Sequence, residues 1–335
     1  MSLPLKELIT IGQNQLKEAG IMDSARDAKD LYCFLDKLDA VGLMMHWQDV
    51  LADNTCEAYF ELIERRASGE PIQYITGVQE FMGLTFNVNP NVLIPRQDTE
   101  TMVEDALEVL QKGTLRGEAF VEKPNFKDVL DLCTGSGAIG VSIAKLNGNV
   151  KVTCSDLSEK ALETAKGNAI ANGLKSVKFE QGDLFAPFCG KLGKKKFDFI
   201  ISNPPFGIDW KREQKAVEAE AKLGESGRFA PGLPKISDGQ QLFVLNGLAK
   251  LAEDGKMAIV QNGSPLFSGD AGSGPSEIRR YMLENDWLEA IIQLSTDQFM
   301  NTGISTYIWV CSKNKPTYRA GKVQLIDASH CYEAR

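Results

Sequence analysis

Apolar residues recur at three- and four-residue spacing over residues 4 to 20, 25 to 40 and roughly 46 to 67, as in Leu31, Phe34, Leu35 and Leu38. That period marks amphipathic helices. Asp23 or Ser24 stands where the second helix needs an N-cap, and Asp27 falls in its first turn, near the positive end of the helix dipole. These segments predict a small helical domain ending near Gly69. Residues 71 to 100 read as a linker with a hairpin, because Leu84, Phe86 and Val88 alternate and Pro90 and Pro95 interrupt the chain after them. A helix from about Thr99 to Leu110 should come next.

From Phe126 the rhythm changes to short apolar strands separated by helices. Strands are predicted at Val129 to Leu132, Val150 to Cys154, Val177 to Phe179, Phe197 to Ser202, Lys256 to Val260, Trp287 to Leu294 and Ser305 to Cys311. Helices are predicted near 138 to 146, 159 to 172, 238 to 252 and 275 to 284. Such alternation predicts an α/β fold with a mostly parallel sheet covered on both faces. Residues 207 to 237, with KREQKAVEAEAKLG and then RFAPGLPKIS, break the rhythm and read as an insertion beside a site or a flap facing a partner. The expected boundaries are a helical domain at 1–75, a hairpin-bearing linker at 76–98 and an α/β domain at 99–335.

Composition narrows the classes. The chain has 335 residues and a net charge of −8, which excludes a basic nucleic-acid coat, and 43% hydrophobic residues exclude disorder throughout. Residues 1 to 80 carry 7 basic and 14 acidic side chains, so nearly all of the charge excess lies on the helical domain. Solvated helices commonly carry such an excess, and a surface that meets a basic partner is the sharper alternative. The seven cysteines, at 33, 56, 133, 154, 189, 311 and 331, are scattered and form no CxxC pair, which fits a reducing compartment. His46 and His330 stand apart from any cluster, so no metal is expected. No apolar run reaches the ~18 residues of a membrane span, so the expected location is the cytoplasm and no membrane partner is foreseen.

Candidate chemistry begins at VLDLCTGSGAIG, an apolar strand running into Gly135-Ser136-Gly137 and then a helix. Small residues there let a ligand pass close to the backbone. Twenty-one residues beyond Gly135, KVTCSD ends at Asp156, placed to accept hydrogen bonds from two ribose hydroxyls. Asp183, in FEQGDLF, could receive the amino group of an adenine. Gly140 is read as falling outside the third-glycine spacing of a dinucleotide turn, and the lysine of a phosphate loop is missing, so NAD and ATP are disfavoured. In this order Asp131, Gly135, Gly137, Asp156 and Asp183 resemble the S-adenosylmethionine site of class I methyltransferases, which have a Rossmann-like α/β fold. That resemblance implies S-adenosyl-L-methionine as cofactor and adds Thr134, Ser136, Leu157, Leu184 and Asn203 to its binding set.

The strand FDFIISNPPFG delivers Asn203, Pro204, Pro205 and Phe206 to the carboxyl edge of the sheet, where such folds place ligands. A planar nitrogen conjugated with a carbonyl or a ring is a poor nucleophile. The Asn203 side-chain oxygen and the Pro204 carbonyl can accept its two N–H bonds, draw the lone pair out of conjugation and aim it at a sulfonium methyl. The prolines stiffen the loop, and Phe206 can stack on the flat acceptor. A proline turn closing a buried strand is the bland alternative.

Two longer resemblances extend along the chain. RRASGEPIQYITG, EFMGLTFNVNPNVLIPRQDTE, VLDLCTGSGAI and CSDLSEKALETAKGNA make residues 1–205 similar to the bacterial release-factor N5-glutamine methyltransferases. This resemblance implies that residues 1–75 bind the protein substrate, that a peptide chain release factor is the partner, and that Arg96, Thr99 and Glu100 line the substrate cleft. Phe206 stands where that family has Tyr. NPPFGIDWKREQ, RFAPGLPKISDGQQLF, the stretch from Gln261 to Leu294 and FMNTGISTYIWVCSKNKPTYRAGKVQLIDAS make residues 203–335 resemble the methylation subunit of type I restriction-modification systems. That resemblance implies methylation of adenine N6 in DNA alongside a specificity subunit. Ser264, Asp270, Asn301 and Thr302 lie in loops of this tail and could touch target or partner, although caps and turns use the same residue types. DNA binding needs phosphate neutralisation, yet the compact basic run is only Lys191, Lys194, Lys195 and Lys196. The favoured expectation is therefore a glutamine N-methyltransferase acting on a release factor. An adenine-N6 DNA methyltransferase is the alternative, and an inactive cofactor-binding scaffold the third.

Overall fold

The computed structural model describes residues 2–112, 127–182, 195–295 and 305–331. Its contacts divide the chain into two units, one comprising residues up to Glu80 with Phe86–Ile94, the other Phe81–Thr85 with Pro95 onward. The first contains helices α1 (Leu5–Glu18), α2 (Ser24–Asp36), α3 (Ala40–Met45), α4 (Asp53–Ala67) and α5 (Ile72–Thr76). Leu5, Leu8, Leu16, Leu31, Tyr32, Tyr59 and Ile63 form its core. The Tyr59 hydroxyl donates to the Ala28 carbonyl at 3.0 Å, satisfying the one polar atom that this ring brings inside.

Three expectations about this unit change. The predicted helix over 46 to 67 starts only at Asp53, because the preceding backbone pairs with the N-terminus instead: Leu5 N donates to Asp49 O and Leu51 N to Leu3 O, each at 2.9 Å. Phe34 is 43% exposed, because the buried stripe of α2 runs through Asp27, Ala28, Leu31 and Tyr32. Asp23 occupies the N-cap of α2 without a side-chain bond, and Asp27 is buried as the partner of Arg66 on α4, whose Nε donates to it at 2.7 Å.

Strands β1 (Val78–Phe81) and β2 (Leu84–Asn87) form the expected hairpin. The second unit continues with α6 (Asp98–Lys112), β3 (Asp128–Leu132), α7 (Ala138–Leu146), β4 (Lys151–Asp156), α8 (Glu159–Ala171), β5 (Lys178–Gln181), β6 (Phe197–Ser202), α9 (Gln214–Ala221), α10 (Gln240–Lys250), β7 (Leu251–Asn262), α11 (Ser264–Phe267), α12 (Gly274–Glu284), β8 (Leu288–Gln293), β9 (Thr306–Ser312) and β10 (Gln324–Asp327). Eight strands form one sheet in the order β10-β8-β9-β7-β6-β3-β4-β5. The run from β5 to β7 is parallel, and β9 runs antiparallel between β7 and β8. A parallel sheet needs cover on both faces. On one face α10 supplies it, its Leu242, Val244, Leu245 and Leu248 buried with Ile200, Met257 and Ile259.

The segment 207–237, expected as an insertion or a partner-facing flap, packs onto the sheet. Its Trp210, Val217 and Phe229 are buried in the same cluster as Leu130 and Leu132. Arg228 holds Glu220 through two bonds of 2.6 Å and reaches Asn246 on α10 at 2.9 Å.

Candidate active site

In the sheet β3 lies between β6 and β4, so the carboxyl ends of β6, β3 and β4 are neighbours. Registers Leu132↔Ser202 and Asp131↔Cys154 set those ends level. A stitch joins two of them: the Ser202 hydroxyl, fully buried, donates to the Leu132 carbonyl at 2.8 Å. The residue before Asn203 is thereby fixed to the strand that feeds the glycine turn.

That turn is built around Asp131. One carboxylate oxygen of Asp131 accepts from the Thr134 hydroxyl and, at 2.9 Å, from the Gly140 N–H in the first turn of α7. Burial pushes its carboxyl up to about 6, opposed by those two donors and reinforced by the charge of Asp156. Asp156 closes the turn from the next strand, one carboxylate oxygen accepting from Gly135 N and the other from Ser158 N, both at 2.9 Å. Gly135 and Gly137 take φ of +55° and +82°, conformations that side chains resist.

The site fits a nucleoside ligand on three observations. A Cβ at Gly135 would meet nothing within 4 Å, so open space faces the backbone there. The Asp156 carboxylate keeps lone pairs beyond the two it uses, enough for a ribose diol. Leu157 is 63% exposed beside it, an apolar surface for a flat base. Thr134 and Ser136 are buried; Thr134 N donates to Ser155 O at 3.0 Å and Ser136 O accepts from Asn168 Nδ2 at 2.8 Å. Asp183 and Leu184 lie outside the described residues, although Gly182 N, just before them, donates to Asp156 O at 3.0 Å.

Gly140 corrects the reading of the glycines. Gly135, Gly137 and Gly140 do follow the G-x-G-x-x-G spacing, so spacing alone does not set this turn apart from a dinucleotide site. A Cβ on Gly140 would come within 2.5 Å of Cys154 Sγ and 2.9 Å of Asp131 Oδ2, so this third glycine seats α7 on the sheet.

At the end of β6, Asn203 is half-buried, Pro204 buried, Pro205 exposed and Phe206 half-buried. Thr99 and Glu100 lie in the first turn of α6 and Arg96 just before it, with Thr99 N donating to Arg96 O at 3.1 Å. Glu100 accepts from Met82 N in the hairpin turn at 2.5 Å, a structural tie that its expected substrate role did not foresee. Asn168 and Ser202 were missed by sequence reasoning. Asn168 carried a signal, a polar residue on the α8 face that buries Ala161, Leu162, Ala165 and Ala169. Among the described residues no group of three or more His, Cys, Asp and Glu could hold a metal, and no helix is long and apolar enough to cross a membrane.

A family model described as N-6 DNA Methylase matches residues 114–335, and one described as PrmC N-terminal domain matches residues 7–77. The release factor glutamine methyltransferase of Aliivibrio fischeri is 35% identical over 262 residues, covering 76% of this chain and 86% of that protein. That of Clostridium acetobutylicum is 38% identical over 205 residues, covering 61% and 67%. The chain belongs to both families, the release factor glutamine methyltransferases and the N-6 DNA methylases. It is an S-adenosylmethionine-dependent methyltransferase of the class I, Rossmann-like fold with an N-terminal helical unit. Among solved structures, the type I restriction-modification methyltransferase subunit of Streptococcus thermophilus shares the fold, with a TM-score of 0.59 at 20% identity over 89% of this chain. The methyltransferase chain spans 55% of that subunit. The DNA-type model begins at residue 114 and the Aliivibrio fischeri relative covers 76% of the chain, so the two resemblances overlap rather than meet at Asn203.

Proposed function

We propose that this methyltransferase transfers a methyl group to the side-chain amide nitrogen of a glutamine in a peptide chain release factor. The observation that carries this reading is the Ser202–Leu132 stitch, which holds the Asn203-Pro204 loop level with the turn of Gly135. Bound S-adenosylmethionine supplies a methyl group made electrophilic by its positively charged sulfur. Asp156 and Leu157 would hold the nucleoside, joined by Asp183 and Leu184 as the resemblance to class I methyltransferases implies, and the turn from Thr134 to Gly137 would pass along it. The Asn203 side-chain oxygen and the Pro204 carbonyl accept the two amide N–H bonds, so the nitrogen lone pair leaves conjugation and faces the methyl. Formation of the N–C bond would be matched by cleavage of the sulfur–methyl bond, whose electron pair stays on sulfur as a neutral thioether, while the amide proton, made acidic, would leave past the Asn203 and Pro204 oxygens to solvent. Phe206 stacks on the amide plane, and Arg96 and Thr99 orient the acceptor chain.

Charge supports a protein over a duplex. The helical unit is acidic, which suits a basic protein surface. Of the basic run, Lys195 pairs with Asp128 at 3.1 Å and Lys196 donates to the Ala249 carbonyl at 2.5 Å, so neither is held ready for a phosphate. A release factor as partner also places the enzyme in the cytoplasm. The second reading, adenine N6 in DNA with a specificity subunit, draws on the N-6 DNA methylase match over residues 114–335. Labelled-methyl transfer to purified release factor and to adenine-containing DNA, assayed side by side, separates them. Asn203→Ala should lower kcat on the true acceptor by ~100-fold or more while the cofactor Kd stays within twofold; full activity in that variant refutes the clamp.

A further inference from the structure

A cavity of about 500 Å³ opens at the carboxyl end of β7, one strand along from the end of β6. Its walls come from two segments, Pro234 to Gln241 at the end of the insertion and Ser264 to Gly269 after β7. Neither contributes to the cofactor turn.

The first wall is bolted to the Asn203 loop. Gly239 N donates to Ile208 O at 2.9 Å, Trp210 N to Ile236 O at 3.0 Å, and the Trp210 indole N–H to Lys235 O at 2.9 Å. Ile208 is the second residue after Phe206. The wall therefore adjoins the segment that follows Phe206.

The lining asks for a hydrogen-bond donor flanked by apolar surface. Gln241 is 2% exposed; its Nε2 donates to Pro275 O at 3.2 Å, while its Oε1 is buried with no partner. The Ser273 hydroxyl is a second buried polar atom with no partner, and it borders the lining: a Cβ built on Gly269 would collide with it. Leaving such atoms unpaired costs free energy unless a ligand completes them. Pro234, Pro265 and Phe267 add the apolar part, and Phe267 is 77% exposed.

We propose that this cavity is a peptide subsite, which takes the main chain next to the methylated glutamine with an N–H directed to Gln241 Oε1 and Phe267 covering the adjoining side chain. It rests on the release-factor reading and deepens it. The lining carries one cation, Lys235, against one carboxylate, Asp238, which already accepts from Gln240 Nε2 at 2.9 Å. That balance suits an uncharged peptide and leaves a phosphodiester uncompensated.

The test is steady-state methyl transfer to purified release factor by wild type, Phe267→Ala and Ser268→Trp, with a short capped glutamine amide as second acceptor. Each variant should raise KM for the release factor ~10-fold with kcat and cofactor Kd unchanged. Neither should alter transfer to the capped amide, which is too short to reach the cavity; a merely structural defect would depress both acceptors. Equal KM values in all three enzymes overturn the subsite while leaving the glutamine reading intact. Absence of transfer by wild type to release factor overturns both, and transfer to adenine-containing DNA that the variants weaken assigns the cavity to nucleic acid instead.

Discussion

Replacing Gly140 with alanine tests how the cofactor turn is held. In a solvated helix the change would stabilise by ~1 kcal/mol, because alanine is the better helix former. Here the new Cβ would stand 2.5 Å from Cys154 Sγ, 2.9 Å from Asp131 Oδ2 and 3.0 Å from Asp131 Cβ. Both neighbours are side chains of central strands, opposite each other in the β3–β4 register, and neither has room to retreat. Overpacking of this kind costs ~1–3 kcal/mol. Shifting Asp131 Oδ2 also weakens its bonds from Gly140 N and the Thr134 hydroxyl, each worth ~1.5–3 kcal/mol when the acceptor is charged. The net expectation is a loss of ~2–5 kcal/mol.

Two measurements register the effect. Urea unfolding should show a lower midpoint at unchanged slope, and calorimetry should show S-adenosylmethionine binding ~10-fold weaker or worse, because the turn from Thr134 to Gly137 hangs on Asp131. Cys154→Ala removes the closest contact, so adding it to G140A should recover ~1 kcal/mol relative to the sum of the single effects. A G140A protein with wild-type midpoint and Kd would refute the seating of α7 on this pair.

The remaining predictions concern charge. Because burial raises the Asp131 carboxyl to about 6 from an ordinary 3.8, the native state holds this proton more tightly than the unfolded chain does. Stability from this group should therefore fall as pH rises through that window, by up to ~3 kcal/mol, a slope that D131N lacks; parallel urea-midpoint profiles for the two proteins would exclude it. Arg228→Met leaves Glu220 without the guanidinium that holds its carboxyl below the usual range against burial, and breaking a pair this enclosed should cost ~3 kcal/mol. An unchanged thermal midpoint would show that the insertion does not depend on the pair.

Legibility in the sequence followed the strength of local pattern. Phe197–Ser202 and Ala138–Leu146 appear with the predicted bounds, because each is an apolar run closed by a residue that stops it. The early part of β7 was missed, since Glu253, Asp254 and Gly255 carry no apolar alternation. β10 was missed for a related reason: all four residues are exposed, and the strand exists only through pairing with β8. The helix expected from residue 46 failed because residues 49 to 51 bond to residues 3 to 5, a non-local pairing that periodicity cannot register. In the candidate site, the placement of Gly135, Asp156 and Asn203 at the carboxyl ends of β3, β4 and β6 was legible because each follows or closes a short apolar strand. Ser202 was not, because its bond to Leu132 joins positions 70 residues apart.

The two family patterns in this chain become compatible at the level of the sheet. Leu130 and Leu132 on β3, Ile200 on β6 and Ile259 on β7 share one core with Trp210, Val217 and Phe229 of the insertion. The insertion, which belongs to the DNA-type pattern, thus packs directly under the strand that carries the cofactor turn. Ser202 then ties the turn to the methyl-acceptor loop from one side, and Gly239 with Ile208 ties that loop to the cavity wall from the other. On the proposed reading, chemistry and selectivity separate along one edge: the turn after β3 and the loop after β6 would fix where the methyl moves, and the wall formed by Pro234 to Gln241 with the segment after β7 would decide what can be brought there. Changes to Pro234, Phe267 or Ser268 should accordingly alter acceptor preference without touching cofactor affinity, which distinguishes them from every substitution in the turn.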